Sequence, residues 1–193
     1  MLASNTEPPL NDSLLERAAQ LLITPTALAD LSALDARTVM HKMVPQRLIQ
    51  GTVFIKEGEL TYTDFMMLVI EGEVMVTNEA STSTSGGNLM SVIGAGSIIG
   101  EMGLLDGGQR SATCTASTDV TVAILSRDAL LELIKSEPAV AARLMLAISK
   151  RLSDRLREAN RKIKILDGLS RALQQELDAA HHPAGSASRV RIQ

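Results

Sequence analysis

The sequence has few aromatic and thiol side chains: its 193 residues include no tryptophan, one tyrosine, two phenylalanines and one cysteine. A hydrophobic core in this chain must therefore be built from aliphatic side chains. The lone Cys114 excludes an internal disulfide and any metal site made of several cysteines. Because it lies in an apolar run, we expect it to be a small core residue and not a nucleophile.

Long hydrophobic runs and strong net charge are also absent. No apolar stretch approaches the roughly 20 residues that a membrane-spanning helix needs. The first ten residues have no basic flank or apolar stretch of the kind that marks a secretory signal. A formal charge of −3 gives no overall attraction to nucleic acid or to an anionic membrane. We therefore expect a soluble, cytoplasmic protein with no membrane partner.

Changes in residue pattern divide the chain into four segments. Residues 1–23 form a polar tail and then an amphipathic helix, with Ser13 and Glu16 in the spacing of a capping box. Residues 24–137 begin with a second predicted helix, from Thr24 to Met43, and continue as a β-domain. Residues 138–181 form a long helix, and residues 182–193 form a tail that we expect to be disordered.

The β-domain is indicated by short apolar runs separated by glycine-containing turns. Such a pattern favours an antiparallel sandwich or barrel over a parallel sheet. A polar, low-complexity stretch at residues 77–88 is interpreted as a mobile hairpin loop. The predicted strands are Thr52–Ile55, Phe65–Ile70, Val74–Val76, Leu89–Ile93, Ser97–Ile99, Ala112–Ala116 and Val120–Leu125.

The long helix contains a heptad repeat from Leu152 onward. Alternating spacings of four and three residues, sustained for about four heptads, are typical of a coiled-coil seam, so we expect a homodimer. The basic stretch from Lys150 to Lys164 permits two interpretations, a nucleic-acid contact or the solvated flank of a dimer seam, and we favour the second. The seam positions are Leu152, Ala159, Leu166 and Leu173, and Leu156, Ile163, Ser170 and Leu177.

The segment from Gly96 to Thr113 carries the candidate binding chemistry. In it a strand ends at a glycine, one helical turn follows, and a glycine-rich corner returns to a strand carrying Arg110. Gly100 allows close approach to an anion, and Arg110 offers a charged planar fork that suits a phosphate. Glu101 can accept hydrogen bonds from hydroxyl groups, and Ser111 adds a donor. The alternative is an ordinary turn in which Arg110 and Glu101 form a surface pair.

This segment resembles the phosphate-binding cassette of cyclic-nucleotide-binding domains. The similar residues are Ile99-Gly100-Glu101-Met102-Gly103-Leu104-Leu105 and Arg110-Ser111-Ala112-Thr113. The stretches Gln50–Glu59 and Leu68–Val74 resemble earlier strands of the same family, in the same order. The resemblance implies an α+β, mainly β fold: an antiparallel jelly-roll or cupin-like β-barrel with N-terminal helices and a long C-terminal dimerisation helix.

The resemblance also implies a role for each cassette residue. Arg110 would bind an exocyclic phosphate oxygen, and Glu101, with the Gly100 backbone nearby, would accept from the ribose 2′-hydroxyl. The amide and hydroxyl of Ser111, and the amide of Met102, would meet the phosphate. Polar residues of the long helix would reach the base, where this chain has Asp154 and Arg155 in place of the expected Thr-Ser pair. Ser111 fits either purine, and we expect cAMP in preference to cGMP.

Regulators of the catabolite-activator and Fnr type follow the long helix with a helix-turn-helix domain, and this sequence shows no such pattern there. We therefore expect no direct DNA binding through that motif, and an output to an unidentified effector protein. We expect neither catalysis nor a metal, because no clustered ligands or catalytic arrangement can be identified in the sequence. One alternative is an interaction module of the same fold without a cyclic mononucleotide, and another is a receptor for a cyclic dinucleotide.

Overall fold

The computed structural model describes residues 12–78 and 89–181 of the chain. The predicted N-terminal tail, most of the predicted hairpin loop and the C-terminal tail lie outside the described residues. The chain divides into two compact units, Met1–Arg151 and Leu152–Gln193. None of the described helices is both long enough and apolar enough to cross a bilayer.

Two helices precede the sheets: α1 covers Asp12–Leu22 and α2 covers Ala33–Met40. The prediction of a helix from Thr24 was wrong for the stretch before Ala33. There the backbone forms successive tight turns, such as Ala27 N–H to Thr24 O at 2.9 Å, that still bury the apolar side chains. Ser32 then caps α2 by accepting a hydrogen bond from the Asp35 amide at 3.1 Å.

In the described part of the chain, eight antiparallel strands form two four-stranded sheets. The first has the order β1-β8-β3-β6 and the second β2-β7-β4-β5, which is the order of a jelly roll. The α+β fold class with antiparallel sheets is therefore confirmed. The strands are β1 Val44–Leu48, β2 Val53–Ile55, β3 Phe65–Glu71, β4 Val74–Asn78, β5 Leu89–Ile93, β6 Ile98–Ile99, β7 Thr113–Ala116 and β8 Val120–Ser126.

The first strand, β1, is the one that the sequence did not predict. It pairs with β8 alone, from Val44 opposite Ile124 to Leu48 opposite Val120. An edge strand tolerates a proline, which cannot donate to the ladder, so Pro45 fits there. Pro45 and Arg47 interrupt the apolar alternation that would have indicated a strand.

The core lies between the two sheets, and β3 contributes to it most directly. Met67 and Val69 point into the cluster between the sheets, and the alternating Ile70 lines an apolar space with α1 and α2. Since both faces of β3 are covered, its residues 66–70 are all buried.

The remaining helices are α3, Glu101–Asp106, α4, Arg127–Ser136, and α5, Pro138–His181. Ser126 caps α4 by accepting a hydrogen bond from the Ala129 amide at 3.2 Å. The first turns of α5 belong to the first unit, because Val140, Leu144 and Ile148 are buried there. In the second unit, the seam side chains of α5 are largely exposed; Leu156, Ile163 and Leu166 are 62%, 61% and 64% accessible.

Candidate functional site

The predicted strand–turn–corner order of the cassette is present in the structure. Strand β6 ends at Ile99, and Gly100 begins α3 in the left-handed region at φ +81°. Gly107 ends α3 at φ +64°, and the chain then returns to β7. The prediction that a strand carries Arg110 was wrong, because β7 begins only at Thr113. Such positive φ angles favour glycine, which explains its presence at both ends of α3.

Arg110 is the buried cation at the centre of this segment, with 5% of its surface exposed. Its Nη1 donates to the carbonyls of Phe65 and Gly100, at 3.3 and 3.2 Å. Its Nη2 donates to the carbonyls of Tyr62 and Phe65, at 3.4 and 3.3 Å. The guanidinium carbon also lies 4.2 Å from the centre of the Phe65 ring, a cation–π contact. These contacts fix the orientation of the guanidinium, and Arg110 and Glu101 are buried residues, not the surface pair of the alternative interpretation.

Burial lowers the pKa of the Arg110 guanidinium, because the charged form loses hydration. The nearby carboxylates of Glu59, Asp64 and Glu101 act in the opposite direction. An arginine side chain stays protonated at neutral pH, so the site holds a permanent positive charge. Among the described residues, the Arg110 guanidinium donates its hydrogen bonds to neutral carbonyl oxygens.

Two glycines make room for this arginine. A Cβ on Gly100 would lie 2.5 Å from Arg110 Nη1 and 3.0 Å from the carbonyl oxygen of Phe65. A Cβ on Gly103 would lie 2.3 Å from the carbonyl oxygen of Thr63 and 2.9 Å from Arg110 Nη1. Gly103 was part of the sequence motif but had no assigned role. Its spacing of three from Gly100 was the available signal, since such residues lie on one side of a helix.

Of the other predicted cassette residues, the structure buries Glu101 and leaves Met102 and Ser111 exposed. Glu101 lies in the first turn of α3 and is 2% exposed, so its carboxylate is buried beside the guanidinium. Met102 is 45% exposed, and Ser111 is exposed directly after Arg110. Their contacts with a nucleotide stay predictions.

The two predicted base-contacting residues lie in the other compact unit. Asp154 and Arg155 are exposed on α5. Asp154 forms an ion pair with Arg157 one helical turn away, at 2.8 Å. Their role at a purine stays a prediction as well.

Sequence reasoning missed the residues that support the cassette from elsewhere in the chain. Arg127 donates to the carbonyls of Leu104 and Leu105, at 3.1 and 2.6 Å, and so caps the end of α3. The buried Thr63 hydroxyl donates to the Gly107 carbonyl at 3.1 Å. Nothing in the local pattern around Arg127 or Thr63 indicated these contacts, which join segments far apart in the sequence.

Tyr62, whose carbonyl accepts from Arg110, has an unusual backbone. Its φ is +54°, a conformation that costs a non-glycine residue of the order of 1 kcal/mol, and its side chain is 78% exposed. The strained residue therefore lies where the chain turns its carbonyl toward the buried guanidinium.

Cys114 is buried in the core cluster, as predicted, and burial raises the pKa of its thiol to about 11. A thiol of this kind is protonated at neutral pH and is a poor nucleophile. Within residues 12–78 and 89–181, no three His, Cys, Asp or Glu side chains are grouped to hold a metal ion.

Comparison with known proteins places this geometry in a family. The family profile described as "Cyclic nucleotide-binding domain" matches residues 45–137. The CRP-like cAMP-activated global transcriptional regulator of Mycobacterium tuberculosis is 27% identical over 142 residues, 73% of this chain and 58% of that protein. The cyclic AMP receptor protein of Thermus thermophilus is 33% identical over 118 residues, 61% of this chain and 50% of that protein. This chain therefore spans little more than half the length of these relatives.

A solved structure gives the same result for the fold. A cyclic nucleotide-binding domain from Methylobacillus flagellatus superposes with a TM-score of 0.65 and 29% sequence identity. The match covers 79% of this chain and 83% of the other.

Proposed function

Residues 45–137 belong to the cyclic nucleotide-binding domain family, and from this premise we propose that the chain is a sensor that binds cAMP in preference to cGMP. The proposed sensor forms a homodimer through α5 and acts on a separate effector protein. Its role is binding and not catalysis. A cytoplasmic location is part of the same proposal, since the single buried cysteine provides no disulfide for an oxidising compartment.

The observation that carries the ligand class is the buried, oriented charge of Arg110. A cyclic phosphodiester bears one negative charge, and a guanidinium fork with neighbouring amides can match it. The buried Glu101 carboxylate next to it supplies an acceptor for a ribose hydroxyl. A nucleoside triphosphate would need a Gly-Lys-Ser/Thr loop and a metal, and the sequence contains no such loop.

The preference for cAMP is supported by the relatives, whose names describe cAMP-activated or cyclic AMP receptor proteins. Ser111 is compatible with this choice. Selection of the base is assigned to Asp154 and Arg155, whose carboxylate and guanidinium can serve as acceptor and donor.

Signalling requires that nucleotide binding changes the equilibrium between two arrangements of the protein. A ligand shifts such an equilibrium only by its difference in affinity for the two states. We assign the moving parts to the cassette, where Arg110 can exchange a carbonyl acceptor for phosphate, and to α5. The exposed apolar seam of α5 provides the contact between subunits.

Substitution of Arg110 tests the proposal. Arg110→Leu removes the charge, and Arg110→Lys keeps the charge but loses the planar fork. Calorimetric titration with cAMP should show a loss of at least about tenfold in affinity for the lysine variant, and no detectable binding for the leucine variant. Circular dichroism checks that each variant is folded.

The matched control is Arg47→Leu, which removes an arginine from the edge strand β1, where it pairs with Asp119. It should bind cAMP as the unmodified protein does. Unchanged binding in both folded Arg110 variants would contradict the proposal. It would favour a different ligand site or an interaction module of the same fold.

A further inference from the structure

The exposed half of α5 has an apolar face that changes in width along its length. In residues 152–162 the apolar side chains are confined to the seam, and charged residues flank them. From Ile163 onward a second apolar stripe joins the seam: Ile165 is 58% exposed and Leu169 is 56% exposed. The feature is therefore local to the distal part of the helix, residues 163–177.

The second stripe begins at the edge of the seam and extends away from it around the helix. At 100° per residue, Leu169 lies about 60° and Ile165 about 100° from the seam residue Leu166, both in the same direction. Together with Ile163 on the other side, the apolar face covers about half of the helix circumference. A two-stranded coiled coil buries chiefly its seam, so in a two-chain assembly Ile165 stays exposed and Leu169 stays partly exposed.

Charges at the two ends of the stripe indicate which helix fits. Lys162 precedes Leu169 by seven residues, and Glu176 follows it by seven, on the same side of the helix. If a second copy crosses in the antiparallel direction with Leu169 against Leu169, Lys162 faces Glu176 of the second copy at both ends. A parallel copy in register would place like charges opposite each other, which is unfavourable.

The present ion pair of Lys162 leaves this side chain available for a contact with a second copy. Lys162 pairs with Glu158 within the helix at 2.9 Å, and the two side chains are 70% and 59% exposed. Exposed pairs of this kind contribute little stability, so Lys162 can turn toward a new partner at little cost.

We propose that the stripe of Lys162, Ile165, Leu169 and Glu176 is an antiparallel self-association surface. The contact is isologous, because the same patch serves both copies. The proposal does not depend on nucleotide binding.

Sedimentation of the full chain at low salt tests the surface. The unmodified protein should show one association step more than Leu169→Asp, which places a charge in the stripe and replaces no seam residue. Glu176→Lys should weaken that step at least about fivefold, since attraction becomes repulsion at both ends. The double variant Lys162→Glu/Glu176→Lys should restore it to within about twofold.

The matched control is Asp178→Lys, which makes the same charge change two residues away and outside the stripe. It should leave the association step unchanged. The proposal is overturned if Leu169→Asp sediments like the unmodified protein. The antiparallel register is overturned if the double variant is no better associated than Glu176→Lys.

Discussion

The packing of Gly103 against Arg110 makes a quantitative prediction about a single methyl group. In Gly103→Ala the new Cβ would lie 2.3 Å from the Thr63 carbonyl oxygen, well inside van der Waals contact. The Thr63 oxygen belongs to the backbone, so either α3 or the segment that leads into β3 must shift. Strain of this type costs about 1–3 kcal/mol, and the better helix propensity of alanine returns up to about 1 kcal/mol.

We therefore expect Gly103→Ala to lower the free energy of unfolding by up to about 3 kcal/mol in urea titrations. Because the same methyl group would lie 2.9 Å from Arg110 Nη1, affinity for the nucleotide should fall as well. Calorimetric titration with cAMP measures this second effect independently of stability.

Gly168 provides the control. It also lies inside a helix, but a Cβ at this position would meet no side chain within 4 Å. Gly168→Ala should increase helix stability by up to about 1 kcal/mol and leave nucleotide affinity unchanged. The reasoning is refuted if Gly103→Ala proves as stable as the unmodified protein and binds the nucleotide equally well.

Three further predictions concern other parts of the molecule. Replacing Leu156 and Ile163 together by Asp should give a product of half the mass in sedimentation at high salt, and an unaltered mass would place the interface elsewhere. Arg143 lowers the pKa of the buried Asp35 through two hydrogen bonds of 2.8 and 2.6 Å, so the pair stabilises the fold fully above the unfolded pKa near 4, and this stabilisation is lost as pH falls through the lower folded pKa. The urea midpoint of Asp35→Asn should therefore depend less steeply on pH below about 4 than that of the unmodified protein. Equal slopes would contradict this prediction. Because the pKa of Cys114 is about 11 and the thiol is buried, thiol reagents at pH 8 should label it only after unfolding, and rapid labelling of the folded protein would contradict its placement.

Much of the β-domain was predictable because its strands are separated by turn residues. Gly72, for example, has φ +85° in the tight turn between β3 and β4, where a Cβ would meet the Asp119 carbonyl oxygen at 2.3 Å. Strand β1 was not predictable in this way. Pro45 and Arg47 interrupt the apolar alternation of a strand. They are tolerated because β1 lies at a sheet edge, and that position is a property of the fold and not of the local sequence.

The false helix prediction before Ala33 has a related cause. Leu28, Leu31 and Leu34 recur at a spacing of three, which suits a helix and also suits consecutive tight turns. In the structure Leu28 and Leu31 are buried, whereas Leu34 is 72% exposed, so the three do not form one apolar face.

Part of the candidate site could be predicted from the sequence and part could not. Gly100, Glu101 and Arg110 lie within one short motif, so their proximity could be predicted from the chain itself. The acceptors of Arg110 at Tyr62 and Phe65 come from a segment about 45 residues earlier, with no local signal to connect them. Only the folded jelly roll brings these carbonyls beneath α3.

The most direct test of the central claim is a calorimetric titration of the nucleotide-free protein with cAMP and, in parallel, with cGMP. Mass spectrometry of the purified protein first shows that no ligand has been carried over. We predict saturable binding of cAMP at micromolar concentration or below, and weaker binding of cGMP. No heat with either nucleotide, from protein that is folded and empty, would contradict the assignment of this chain as a cyclic-mononucleotide sensor.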